Sequence, residues 1–206
     1  MRVQRPILTS DRLIRTALKE VLDSKFREEP NTRIIEELGI VHGTARIDVA
    51  VVNGNLQGFE LKSDRDTLSR LPEQMRVFNS VFDQVTLVVG KQHVFEAINM
   101  VPEWWGIVVA KISTAGGGVT FSHIRDVGDN PDSTSTAVVS LLWREEALRI
   151  LEECGKAEGV RSKNRDVVYA RLTKILDGRT LRAKVREQLC TRSSWRSETQ
   201  YMPSDG

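Results

Sequence analysis

The chain has 206 residues, of which 40% are hydrophobic and 28% charged, with a formal net charge of +2. That length and balance suit a globular protein with a real core, as one domain or one domain plus an appendage. Two cysteines, Cys154 and Cys190, exclude a disulfide framework, and no apolar run reaches the roughly 18 residues of a membrane helix. The segment Met1-Arg2-Val3-Gln4-Arg5-Pro6 lacks the apolar core of a signal peptide, so a reducing cytoplasm is the expected setting. From Ser10 to Leu22 the apolar residues Leu13, Ile14, Ala17, Leu18, Val21 and Leu22 recur at helical spacing. Ser10 suits the N-cap and Asp11 the first turn. Residues 31–38 read as a second helix, closed by Gly39. Residues 46–52 are rich in β-branched side chains and read as a strand. Asn53-Gly54-Asn55 forms a turn, and residues 56–62 return as the partner strand. Residues 64–82 read as mostly helical, restarting at Pro72. A buried strand at 84–89, a short helix at 91–100 and a hairpin of 106–112 with 119–124 across Gly116-Gly117-Gly118 follow. Residues 126–136 are polar and rich in breakers. Beyond them the pattern is helical, at 141–154, 165–176 and 180–189.

The near-neutral total conceals an asymmetry. Residues 159–196 hold eleven Lys and Arg against three acids, a local charge of +8. Residues 1–158 carry −4 and the last ten −2. A basic cluster of this kind is the footprint of a polyanion binder, or else a solvated helical surface. The expected organisation is an α/β domain over 1–126, a linker at 127–136, a basic helical appendage over 137–196 and a disordered tail at 197–206. Its loop Val160-Arg161-Ser162-Lys163-Asn164 sits between two helices, which suits phosphate contacts and is similar to small helix-extended-helix DNA-binding modules such as the SAP motif. The nucleic-acid-binding candidates are Arg161, Lys163, Arg165, Lys174, Arg179, Arg182, Lys184 and Arg186.

The hairpin carries the chemistry. With a three-residue loop at 53–55, opposing residues have numbers summing to 108, so Asp48 faces Glu60 and Arg46 faces Lys62. Directly opposed residues project to one side of a sheet, and alternation keeps Asp48, Glu60 and Lys62 together. Ile47, Val49, Val51, Phe59 and Leu61 are then expected on the other face. Two adjacent carboxylates repel, and one takes up a proton unless a cation compensates. Oxygen ligands favour Mg²⁺ or Mn²⁺. Such an ion activates water and braces phosphoryl oxygens, and a neighbouring lysine orients the water and stabilises developing charge. An edge-strand charge at Asp48 and a surface pair of Glu60 with Lys62 are the bland alternatives. Against them, Asp48 interrupts an apolar run, where an unpaired charge is costly.

Asp48, eleven intervening residues and then Glu60-Leu61-Lys62 resembles the active-site motif of the PD-(D/E)XK nuclease superfamily. Arg46–Val52 is similar to its aspartate strand, with Ile47 where proline is frequent, and Gly58–Ser63 is similar to its E-X-K strand. The wording GTARIDVAVVNG…FELKSDRDTLSRLPEQ resembles a small group of bacterial and phage members. The resemblance covers roughly residues 10–125. It implies a restriction-endonuclease-like α/β fold, a mixed central sheet flanked by helices, here with the all-helical C-terminal appendage. It also implies a glutamate on the helix before the aspartate strand. The candidates are Glu36 and Glu37; on a helix Glu37 lies within about 60° of Ile34 and Glu36 about 160° away, so Glu37 is the closer to the sheet. A glutamine on the helix after the lysine strand, in a Q-x-x-x-Y pattern, has its counterpart in Gln74, with Phe78 replacing the tyrosine.

Asp64 and Asp66 are expected to start a helix, and Arg65 or Arg70 is placed to meet a phosphate. The three glycines at 116–118 lack the lysine and hydroxyl of a phosphate loop. His42, His93 and His123 share no ligand spacing. Trp104, Trp105 and Trp143 read as core or interface. The functional expectation is a Mg²⁺- or Mn²⁺-dependent nuclease acting on DNA, with RNA left open. Glu37, Asp48 and Glu60 hold the metal, Lys62 positions water and Gln74 assists. The alternatives are a non-catalytic nucleic-acid-binding module on the same fold and an assembly protein. No membrane partner is expected, and a homodimer is left open.

Overall fold

Runs of Val, Ile and Leu build a six-stranded mixed sheet in the order β1 (Arg33–Ile40), β2 (Ala45–Val52), β3 (Leu56–Lys62), β4 (Gln84–Gly90), β5 (Gly106–Ile112) and β6 (Val119–Arg125). The computed structural model describes residues 7–113, 117–132 and 134–192. Neighbours β1–β2, β2–β3 and β5–β6 are antiparallel, whereas β3–β4 and β4–β5 are parallel. The two parallel steps cross over through α2 (Leu71–Val81) and α3 (Val94–Met100), as parallel pairing requires. The expected α/β class, with a mixed sheet flanked by helices and further helices at the C-terminal end, is the fold observed.

One face of the sheet packs on α1 (Asp11–Lys25). Ile14, Leu18 and Leu22, spaced by four, meet Val49, Val51, Leu61, Val88, Val108 and Ala110 in a closed core. Each fully buried Val, Leu or Ile here stabilises the contact by about 1.5–3 kcal/mol. Leu13 and Val21, counted in the same apolar stripe, are 45% and 50% exposed. Ser10 occupies the N-cap position with extended backbone but makes no side-chain cap bond.

The other face meets α2 and four C-terminal helices: α4 (Ser135–Val139), α5 (Arg144–Glu153), α6 (Arg165–Ile175) and α7 (Gly178–Thr191). Ile47, Ala50, Val52, Phe78 and Phe82 share one continuous core with Leu142, Ile150, Leu172, Leu181 and Val185. The C-terminal helices are thus the second layer of the same core, rather than an appendage behind a linker. The polar stretch before them is tied down: Gly128 N–H donates to the Trp104 carbonyl at 2.8 Å, and Asn130 N–H donates to that of Asp83 at 2.8 Å. The helix expected at 141–154 begins only at Arg144, because Leu141–Trp143 form a turn and Glu146 accepts the Trp143 N–H at 2.7 Å; the separate short helix α4 precedes that turn. Trp105 is fully buried and Trp143 half-buried. Gly116, Arg196 and the tail 197–206 lie outside the described residues.

Asp64 and Asp66 start no helix; α2 begins only at Leu71. Asp64 instead accepts the Thr9 N–H at 2.9 Å and the Gln92 N–H at 3.1 Å, joining the ends of three segments. Gly90 lies against this junction. A Cβ there would stand 2.5 Å from both Asp64 N and Asp64 Oδ1. We expect Gly90→Ala to push the Asp64 turn away and destabilise by about 1–3 kcal/mol. Urea unfolding with an unchanged midpoint would refute this.

Candidate active site

The largest change from the expected elements lies at residues 31–38. They form β1, not a helix, so neither Glu36 nor Glu37 sits on a helix before the aspartate strand. Ile34 packs with the α1 core, whereas Ile35, Leu38 and Ile40 all belong to the opposite one. Strand alternation would send 35 and 38 to opposite faces. The phase changes at Glu37, whose φ of 54° is left-handed. Pairing continues on both sides of it, Glu36 with Val49 and Leu38 with Ile47, so the residue opposite Glu37 is Asp48. The same break occurs on β2: Val49 faces the α1 core, while Ile47 joins Ala50 and Val52 in the other. Ile47 therefore does not share a face with Val49, contrary to expectation. Glu37 and Asp48 are a matched pair of extra residues, one per strand. A left-handed glutamate is strained, and strain of this kind gathers at functional sites.

The hairpin register itself follows the sum of 108, from Val52–Leu56 to Val49–Phe59. There the ladder stops, so Arg46 is not paired with Lys62; it turns to Glu37, with Nε 2.5 Å from Oε2. The Asp48 carboxylate replaces the missing ladder acceptor: Leu61 N–H donates to its Oδ2 at 2.8 Å. Asp48 belongs to a strand paired on both sides, which removes the edge-strand alternative. Glu60 and Lys62 are 2% and 7% exposed, and Lys62 Nζ lies 2.5 Å from Glu60 Oε1. They are a buried pair, not a surface one. From α2, Gln74 Nε2 donates to the same Oε1 at 2.7 Å. Phe78, one turn on, is fully buried in the core. Asp48, Glu60, Lys62, Gln74 and Glu37 all line one cavity of about 990 Å³, together with Arg65, Arg70 and Arg76.

Arg15 of α1 also lines it, and sequence reasoning overlooked this residue. Its guanidinium donates to the Asp48 carbonyl at 2.9 Å and to Asp48 Oδ1 at 2.7 Å, and lies 2.6 Å from Glu37 Oε1 and 3.1 Å from Asp11 Oδ2. Burial works against its charge, but the bonds to Asp11 and Asp48 outweigh that and hold it firmly protonated. The available signal was the spacing of Asp11 and Arg15, an i,i+4 pair on the buried flank of α1. Glu37 is thus brought to the cavity but is claimed by Arg15 and Arg46. Burial raises its carboxyl above the usual range despite both arginines. Glu36 turns away from the cavity to Lys19.

Whether a cation fits can be read from the donors. Glu60 Oε2 and Gln74 Oε1 are buried with no hydrogen-bond partner among the described residues. A buried acceptor left unmade is costly, and a cation would satisfy it. Asp48 and Glu60 supply the oxygen chemistry of a Mg²⁺ or Mn²⁺ site. Among the described residues no group of three or more His, Cys, Asp or Glu is placed to hold a metal, so the three-carboxylate set with Glu37 is not assembled. The carboxylates a cation would meet are Glu60 and Asp48, whose Oδ1 already accepts from Arg15 and Oδ2 from the Leu61 N–H.

Burial, followed by the charge of Asp48, pushes the Glu60 carboxyl up to about 7. Its value in an unfolded chain is near 4.3. Between the two, the folded protein binds more protons than the unfolded one, so stability falls as pH rises. The contribution is fully present below the lower value and lost on passing the upper. In EDTA, the unfolding free energy should drop by on the order of 3 kcal/mol from pH 4.5 to pH 8 through this group. Glu60→Gln should flatten that part of the profile; an unchanged slope would refute the assignment.

A profile of the family described as Bacteriophage P4 protein cII matches residues 8–202 of the chain. The chain belongs to the bacteriophage P4 protein cII family. Protein cII of enterobacteria phage P4 is 37% identical over 101 residues, which are 49% of this chain and 38% of that protein. The matched stretch is thus well under half the length of this curated relative. Among solved structures, the SPO1766 protein of unknown function from Silicibacter pomeroyi matches 72% of this chain and 96% of its own, with 16% identity and a TM-score of 0.41. At that level the likeness carries neither fold nor function.

The basic residues of this cII-family chain are not one open patch. Arg182, with 15% of its side chain exposed, bonds Asp83 at 2.8 Å, and Arg186 lies 3.6 Å from the same carboxylate. These two anchor α7 to the sheet layer. Lys184 pairs with Glu153 and Glu187, and Arg161 with Glu152. Lys163, Lys174 and Arg179 lie on the loop and helices away from the cavity, whose lining includes none of the eight candidates. Arg165 lines an adjoining groove. No helix among the described residues is long and apolar enough to cross a membrane.

Proposed function

We propose that this protein is a metal-dependent nuclease of the PD-(D/E)XK type, hydrolysing phosphodiester bonds in DNA. The observation that supports it most is the convergence of Asp48, Glu60, Lys62 and Gln74 on one cavity, with an orphaned oxygen on Glu60. Asp48 and Glu60 would hold Mg²⁺ or Mn²⁺, whose chemistry is to acidify water and shield phosphoryl oxygens. Lys62, fixed by Glu60, presents its ammonium to the attacking water and to the developing negative charge. Gln74 holds Glu60 in place. Arg65, Arg70 and Arg76, which also line the cavity, would meet the phosphates of the substrate.

A second reading, nucleic-acid binding without turnover, is favoured by Arg15. It already neutralises Asp48, as a permanently bound cation would. One experiment separates the two. The purified chain is incubated with linear, circular and single-stranded DNA and with RNA, in Mg²⁺, in Mn²⁺ and in EDTA. Cleavage that needs the metal is the result expected. Binding of any of these polymers with no cleavage in either metal would overturn the nuclease reading in favour of the second.

A further inference from the structure

The cavity continues past Glu37 and Arg46. These two residues, with Thr44 and Ala45, also form one wall of a second groove of about 670 Å³. Its opposite wall is the turn before α5 and the start of α6. The floor is apolar, with Leu38, Leu142 and Tyr169, and the rim carries Arg46, Arg144 and Arg165.

Two details give this groove a ligand preference. Arg144 donates to the carbonyls of Lys163 at 2.8 Å and of Arg161 at 2.5 Å, and its nearest carboxylate, Glu145, is 3.7 Å away. That pairing is long, as is the 3.7 Å contact of Arg165 with Asp166, and the carbonyl bonds of Arg144 fix the basic loop 161–163 beside Arg165. Trp143, half-buried on the groove wall, has the Arg192 guanidinium 4.4 Å from its ring centroid. A ring clamped in this way is a rigid flat surface. Cations along a rim with an aromatic, apolar floor match a strand whose bases are unpaired. A duplex turns phosphates outward on both sides and offers no base face to such a floor.

We propose that this groove takes a single strand of nucleic acid leading out of the Asp48–Lys62 cavity, with bases against Trp143 and phosphates on Arg46, Arg144 and Arg165. The proposal rests on the nuclease reading for the identity of the polyanion.

Binding is measured in EDTA, where metal-dependent cleavage is absent, by fluorescence anisotropy of labelled oligonucleotides of about 16 nucleotides. Single-stranded DNA, single-stranded RNA and a duplex of the same sequence are compared on the full chain and on Arg165→Glu, Trp143→Ala and Trp143→Phe. Thermal unfolding checks that each variant is folded. We expect either single strand to bind at least tenfold more tightly than the duplex. Arg165→Glu and Trp143→Ala should each weaken it at least tenfold, and Trp143→Phe less than threefold. Arg165→Glu should also lower the salt slope by about one. Single-strand binding that ignores these variants overturns the groove and leaves the nuclease reading standing. Equal affinity for the duplex overturns the single-strand assignment. No binding to any nucleic acid overturns the groove, and cleavage in Mg²⁺ or Mn²⁺ then decides the nuclease reading separately.

Discussion

Under the proposed nuclease reading, replacing Lys62 with Ala should lower metal-dependent cleavage at least about 100-fold, the usual range for a positioned proton-transfer or charge-stabilising group. The reason is local. Lys62 is almost fully buried, and its ammonium has been drawn into the cavity by Glu60. A buried ammonium is costly unless it is paired, and Glu60 supplies that pairing. Removing it leaves Glu60 with only the Gln74 amide, and a carboxyl already raised to about 7 rises further. Two losses are then expected together: a slower chemical step, and a higher metal concentration for half-maximal rate. Single-turnover rates across a Mn²⁺ titration separate them. Cleavage within threefold of the parent at saturating Mn²⁺ would remove Lys62 from the mechanism.

Arg192→Ala destabilises the fold by about 3–5 kcal/mol, the cost of breaking a buried ion pair from one side. Arg192 and Glu146 have 4% and 7% of their side chains exposed, and they meet through two hydrogen bonds of 2.8 and 2.6 Å. A third bond of 3.0 Å runs from Arg192 to the Leu141 carbonyl. Truncation strands the Glu146 carboxylate in the core. For a chain of this size the midpoint of thermal unfolding should fall by on the order of 10 °C. The double variant Glu146→Leu/Arg192→Met should recover most of that loss, because neither charge is then buried. A single variant that melts within 2 °C of the parent, an interval well below that drop, would show that the pair contributes little.

Much of this was legible in the sequence. The hairpin was readable because Asn53-Gly54-Asn55 sets the loop length and the loop length sets the register. The ladder ends one rung before the expected Asp48–Glu60 pair, yet Asp48, Glu60 and Lys62 line one cavity with Gln74 of α2. The β1 strand was not readable, and the reason is instructive. Ile35 and Leu38 share a core, because the phase break at Glu37 gives them the i,i+3 spacing of a helix. The period-2 signal is erased by the same distortion that forms the cavity wall. Arg15 was missed because its spacing from Asp11 marks only a local pair, while its site partner Asp48 lies 33 positions away. The C-terminal basic residues were legible as charge but not as structure. Their acidic partners Asp83, Glu152 and Glu153 lie on other elements, and charge counting along one segment cannot see them.

The paired break at Glu37 and Asp48 also bears on how such a cavity can be gained or lost. Removing either residue alone would throw every side chain beyond it onto the wrong face of the sheet. Removing both would bring Glu36–Val49 and Leu38–Ile47 together as consecutive rungs, and the alternation of both strands would become regular. The carboxylate of Asp48 and the left-handed kink opposite it thus behave as a single removable module of two residues. A relative without them would keep the same sheet, the same register and the same two cores, with Glu60 and Lys62 lining the cavity and no carboxylate opposite them from β2.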